Sequence, residues 1–91
     1  MALDLQKINE LISHNRVQDA IKLLSDIIEL TPDCDDAWFM RGKLFWRIGE
    51  KRKAMNDYAR AVELNADSPA ARALENAQEI QAFFNPDIFN P

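Results

Sequence analysis

Glycine occurs only at 42 and 49 and proline only at 32, 69, 86 and 91 in this chain of 91 residues. Residues that break regular backbone are therefore scarce. The long stretches between them are rich in Leu, Ala, Ile, Glu, Lys and Gln, which favours helix. No alternation of apolar and polar residues persists long enough to argue for strands. The two isolated glycines do not make a glycine-rich phosphate loop. The single cysteine, Cys34, cannot form an internal disulfide. No apolar run approaches the ~20 residues that cross a bilayer. Met1-Ala2-Leu3-Asp4 lacks the basic and apolar regions of a secretory leader. These absences together lead us to expect a cytoplasmic protein with no membrane partner.

The chain is 47% hydrophobic and 29% charged, the composition of a globular domain, and its length allows one such domain. A domain so small buries little surface, so any additional cover contributes noticeably to its stability. The net charge of −4 opposes bulk attraction to nucleic acid. The charge is uneven, however. Between 41 and 60 stand Arg41, Lys43, Arg47, Lys51, Arg52, Lys53 and Arg60 against only Glu50 and Asp57. A locally basic surface on an acidic molecule is expected.

Apolar spacing and punctuation predict five helices. The first covers about 3–14, with Leu5, Ile8, Leu11 and Ile12 at helical intervals. His14-Asn15-Arg16 makes a turn, and a second helix follows over 17–30, with Val17, Ala20, Ile21, Leu24, Ile27 and Ile28 in one stripe. Thr31-Pro32-Asp33 ends it. Asp33, Asp35 and Asp36 crowd the start of a third helix, 35–48, where carboxylates would satisfy free N–H groups and suit the helix dipole. Gly49 offers a left-handed cap before a fourth helix, 51–65. Ser68-Pro69 opens a fifth, Ser68 as cap and Pro69 in the first turn.

Shifting the chain by 34 positions superimposes Ala20 on Ala54, Glu29 on Glu63, Leu30 on Leu64 and Asp33 on Asp67. Leu11 falls on Phe45, Leu24 on Tyr58, Ile28 on Val62 and Asn15 on Gly49. Core positions and turns thus share one register, the mark of a repeated hairpin. With Trp38, Gly42, Phe45, Gly49, Ala54, Tyr58 and Ala61, residues 35–68 resemble one full repeat of the tetratricopeptide-repeat family. Residues 1–34 resemble a degenerate repeat in the same register, carrying Leu11, Ala20, Leu24 and Pro32. There Asp4 replaces the family's tryptophan and Ile8 its first glycine. Repeat 2 departs at Ala66, where proline is usual, and at Arg41, where an apolar residue is usual. Residues 68–84 resemble the closing helix that often follows a last repeat.

The resemblance implies an all-α, right-handed superhelix of antiparallel helix pairs: one domain over 1–84 with a tail over 85–91. It also implies a groove lined by the first helix of each hairpin and by the closing helix. Leu5, Asn9, Ile12 and Ser13 would face it from the first hairpin, Phe39, Lys43, Trp46 and Arg47 from the second, and Ala73, Ala77 and Ile80 from the closing helix. Phe39, Lys43, Trp46 and Arg47 share a helical face by their i, i+4, i+7 and i+8 spacing. Aromatics interleaved with cations suit a peptide bearing apolar and acidic groups. The bland alternative makes the aromatics core and the cations solvated edges, but Trp38 and Phe45 already serve as core on that helix. Family members that grip a terminal carboxylate use a set of cations and asparagines. Only Asn9 and Lys43 stand at such places here, with Leu5, Met40, Ala70 and Leu74 at the others, so that activity is not carried over.

No catalytic apparatus, metal site or cofactor site emerges. His14 lies alone in a turn and lacks partners. Cys34 sits at a helix start, but Asp33, Asp35 and Asp36 oppose its thiolate. A calcium loop beginning at Asp33 would need glycine and glutamate where Trp38 and Leu44 stand. Lys51-Arg52-Lys53 has no stacking aromatics in sequence and reads as a solvated helix start. The tail, Phe83 to Pro91, holds four large apolar residues and has three candidate placements: over the closing helix, in the groove, or in the groove of a second copy. The expected function is therefore a protein- or peptide-binding adaptor, not an enzyme. The alternatives are a self-assembling domain, dimeric through groove or tail, and, as a minor one, an RNA-binding accessory protein.

Overall fold

The computed structural model describes the backbone of residues 4–84 and the side chains of residues 4–79. Within them lie five helices: α1 (Leu5–Ser13), α2 (Val17–Leu30), α3 (Asp35–Arg47), α4 (Lys51–Leu64) and α5 (Ala70–Phe84). There is no strand among the described residues. The tail, 85–91, and its three candidate placements lie outside the described residues. Each helix packs on its neighbours in sequence. The molecule measures 44 × 29 × 18 Å, and the shortest dimension is that of two helix layers at ~8–10 Å between axes.

The two hairpin turns are the same turn. After α1, Asn15 N–H donates to Ile12 O (2.9 Å) and Arg16 N–H to Leu11 O (2.7 Å). After α3, Gly49 N–H donates to Trp46 O (3.1 Å) and Glu50 N–H to Phe45 O (2.9 Å). Both pairs close the Schellman pattern, which needs a left-handed residue just past the helix. Asn15 (φ 59) and Gly49 (φ 87) supply it. The 34-residue register is thus reproduced hydrogen bond for hydrogen bond.

At the N-termini, the Asp4 carboxylate accepts from Lys7 N (3.0 Å) and Ser68 Oγ from Ala70 N (3.1 Å). The carboxylate cap expected for α3 is not made: its N-cap is Cys34, with no side-chain cap hydrogen bond. Asp35 and Asp36 fall inside the first turn and act there by charge. The Asp35 carboxylate also accepts from Asn65 Nδ2 at 3.2 Å, tying the start of α3 to the end of α4.

Two apolar clusters form the core. Ile8, Val17, Ala20, Ile21, Leu24, Ile27 and Ile28 from the first hairpin bury Ala37 and Leu44 of α3. Ala54, Tyr58, Ala61 and Ala70 form the second cluster. Trp38 and Phe45 pack against both and are the seam between hairpins. Ile8 and Leu24, fully buried, stand at the positions that Gly42 and Tyr58 hold in the second hairpin. One hairpin fills that space with a small and a large residue, the other with two of middle size. α5 buries Ala70 and Ala77 and exposes Arg72, Glu75, Gln78 and Glu79.

A methyl group on Gly42 would lie 2.7 and 2.8 Å from Tyr58 Cε1 and Cδ1 and 3.2 Å from Ala54 O. The Tyr58 ring is buried and cannot swing away. Gly42→Ala gains about 1 kcal/mol of helix propensity, yet overpacking a core costs about 1–3 kcal/mol and carries backbone displacement with it. We expect a net loss of stability on chemical denaturation; a variant as stable as the parent would show that the two helices are free to separate.

Candidate functional site

Helix α3 carries functional candidates on two faces. On the first, the Phe39 ring lies 6.0 Å from Tyr58, centroid to centroid, tilted by 44°. Phe39 and Trp46 are half-buried and pack with Ala73 and Leu74 against the second cluster. Each therefore has one side in the core and one open to a ligand. Lys43 Nζ stands 5.3 Å from the Phe39 ring centre and Lys51 Nζ 5.1 Å from that of Trp46. A cavity of about 190 Å³ opens beside them, lined by Trp46, Tyr58, Ala73, Asn76 and Ala77. Lys43, Arg47 and Lys51 make no ion pair among the described residues, so the site offers uncompensated positive charge beside aromatic surface.

Not every expected residue meets there. Trp46, Ala73 and Ala77 line the cavity, whereas Phe39 stands beside its Tyr58 wall, with Lys43 over the Phe39 ring, and neither is part of the lining. Ile12 packs against the first cluster, while Asn9 and Arg47 are exposed; none of the three lines the cavity. The side chain of Ile80 lies outside the described residues. Tyr58 and Asn76 were not anticipated as cavity walls. Tyr58 was assigned wholly to the core from its repeat position, and its ring serves both roles.

The second face was missed by sequence reasoning. Arg41 grips Asp57 of α4 with two hydrogen bonds, Nε to Oδ2 at 2.8 Å and a terminal nitrogen to Oδ1 at 2.9 Å. Its other terminal nitrogen donates to Ser25 Oγ of α2 at 3.1 Å, and Ser25 donates onward to Ile21 O at 2.8 Å. The guanidinium lies 5.0 Å from the Trp38 ring centre and 5.4 Å from that of Phe45. The Arg41 side chain is 18% exposed and that of Asp57 5%. One arginine thus clasps three helices. The only signal in the sequence was Arg41 itself, a charge where the repeat pattern expects an apolar residue.

His14 is exposed, its Nδ1 2.8 Å from Glu10 O. Cys34 is half-buried. Among the described residues no three His, Cys, Asp or Glu side chains are grouped to hold a metal ion, and no helix is long and apolar enough to cross a membrane. Burial, and secondarily the adjacent Asp57 charge, raises the Tyr58 pKa above its ordinary value of 10.0.

Stacked antiparallel helix pairs with a common turn and a common seam define a helical-repeat protein. Residues 35–68 match the family model described as tetratricopeptide repeat. A Bacteroides fragilis protein solved by solution NMR has the same fold, with a TM-score of 0.84 and 33% identity over 98% of this chain and 91% of that one. A Schizosaccharomyces pombe protein named as a DnaJ homolog subfamily C member 7 homolog is 32% identical over 63 residues, which are 69% of this chain and 13% of that protein. The chain belongs to the tetratricopeptide-repeat family.

Two predictions follow from the Arg41 and Tyr58 environments. Arg41→Met strands the Asp57 carboxylate in the interior and should cost about 3–5 kcal/mol, whereas pairing it with Asp57→Leu should restore most of that loss. A double-mutant cycle by urea unfolding checks this; additive losses would mean that the two groups do not depend on each other. Tyr58 holds its proton more tightly folded than unfolded, so its stabilising contribution is complete below 10.0 and is lost as pH climbs through its raised value. Between about pH 9 and pH 11 the melting temperature of Tyr58→Phe should fall less than that of the parent.

Proposed function

We propose that this chain is a protein-binding module that holds a peptide segment along the α3–α5 face, between the Phe39–Trp46 rings and the small residues of α5. Tetratricopeptide repeats are protein-interaction folds without catalytic machinery of their own, and the site reading specifies where such an interaction would occur here. The observation that carries it is an ammonium group over each of two half-buried rings, Lys43 on Phe39 and Lys51 on Trp46, neither in an ion pair among the described residues, beside an open cavity. Ala73 and Ala77 keep the opposite wall low enough for a side chain to enter. A ligand with an apolar anchor and a nearby carboxylate matches both features.

The test compares capture of proteins from the native cell by the intact chain and by Lys43→Glu. Lys43 is exposed and makes no ion pair among the described residues, so its reversal should change stability by no more than about 0.5 kcal/mol. Proteins retained by the parent should be lost from the variant, and Trp46→Ala should lose them too, with some thermal stability because Trp46 also packs on the core. Full retention by a folded Lys43→Glu variant would refute the assignment of this face.

A further inference from the structure

The other face of α3 is also built to receive a ligand. Trp38, Arg41 and Phe45 lie on it at i, i+3 and i+7, roughly 130° around the axis from the Phe39–Trp46 face at ~100° per residue. From α4 come Lys53, Asp57 and Arg60, at i, i+4 and i+7, and a cleft of about 440 Å³ opens among these six and Asn56. Cations cover the rings throughout. Besides the Arg41 contacts, Lys53 Nζ is 5.6 Å from the Phe45 centre and the Arg60 guanidinium 5.8 Å from that of Trp38.

The charges are not equivalent. Arg41 and Asp57 neutralise each other at the floor through their paired hydrogen bonds. That leaves Lys53 and Arg60, one toward each end. Their partners are exposed neighbours on their own helix: Glu50 at 3.1 Å from Lys53 and Glu63 at 3.2 Å from Arg60. Exposed pairs of this kind are worth about 0–1 kcal/mol and exchange readily for a better-placed carboxylate. The Lys53 and Arg60 side chains are 61% and 48% exposed, within reach of a ligand. Seven residues of helix place them ~10 Å apart, a distance spanned by about three residues of extended chain.

We infer that the α3–α4 cleft is a second binding site, for a short acidic peptide whose two carboxylates engage Lys53 and Arg60 while apolar side chains between them lie on Trp38 and Phe45. A long polyanion such as RNA fits less well, because the chain beyond this region repels it: the net charge is −4 although residues 41–60 are strongly basic. This site is independent of the α3–α5 face.

The reporter is Trp38, whose Nε1–H donates to Pro32 O at 2.9 Å and which is distinguished from Trp46 in an NMR spectrum by Trp46→Phe. The full chain is titrated at ~0.15 M salt, where the Debye length is about 8 Å, with the blocked peptide acetyl-Gly-Glu-Leu-Phe-Glu-Gly-amide. A saturable shift of the Trp38 indole signal is expected. Lys53→Glu/Arg60→Glu should weaken binding by about tenfold or more with the helical spectrum unchanged, since two charge-assisted contacts become repulsive. Lys43→Glu should alter it by less than about twofold, its charge being on the other face and screened. If the double reversal unfolds, Lys53→Gln/Arg60→Gln must still weaken binding by about threefold. The proposal is overturned by no shift at Trp38, by undiminished binding to the double variant, by an equal loss on Lys43→Glu, by equal affinity for the peptide with lysine in place of glutamate, or by tighter binding of a ten-residue oligouridylate.

Discussion

The distance between α3 and α4 is set where Gly42 lies against the Tyr58 ring. A hydrogen atom in place of a methyl lets the ring sit 2.7 to 2.8 Å from where a Cβ would be, and Ala54 and Ala61, fully buried, keep the rest of the interface equally thin. The consequences spread outward from there. Tyr58, packed against the glycine, lies tilted by 44° to the Phe39 ring and forms a wall of the cavity. Asp57, its neighbour on α4, is brought within hydrogen-bond distance of Arg41. Both faces of α3 thus owe their geometry to one small residue. The first hairpin solves the same packing problem with Ile8 and Leu24 and develops neither an aromatic wall nor a buried arginine clasp.

Most of the architecture was legible because it is punctuated locally. Asn15 and Gly49 occupy equivalent places, and a chain that must turn left-handed after a helix tolerates few other residues. Apolar stripes at helical spacing named the buried face of α2 almost residue for residue. The failures share a physical cause as well. Whether Asp33, Asp35 or Cys34 takes the capping position depends on a one-residue shift of the helix start, which composition does not determine. The Arg41–Asp57–Ser25 clasp joins residues sixteen apart in both directions, and no periodic pattern announces a partner on another helix.

The candidate site was legible in part. Spacing alone put Phe39, Lys43 and Trp46 on one face, but it treated the face as either core or groove. The side chains are large enough to be both: their inner edges pack on Ala54 and Tyr58 while the outer edges stay open. Asn9 and Ile12 were placed in the groove by the family pattern; Asn9 is exposed, and Ile12 is half-buried and packs on the first cluster. The short α1 carries little beyond its contact with α2. The basic character of residues 41–60 was evident from counting, whereas its division between two faces of α3 required the helix positions in space.

The outer side of α5 sets a limit on growth. In the 34-residue register, Arg72, Glu75 and Glu79 stand where Trp38, Arg41 and Phe45 form the seam of the preceding repeat. A following hairpin would meet three hydrated charges there in place of two rings and a paired guanidinium. Head-to-tail stacking, which would otherwise propagate into an open filament, is therefore disfavoured along this direction. The outer side of α5 is thus chemically unlike the seam face of α3 that it matches in register.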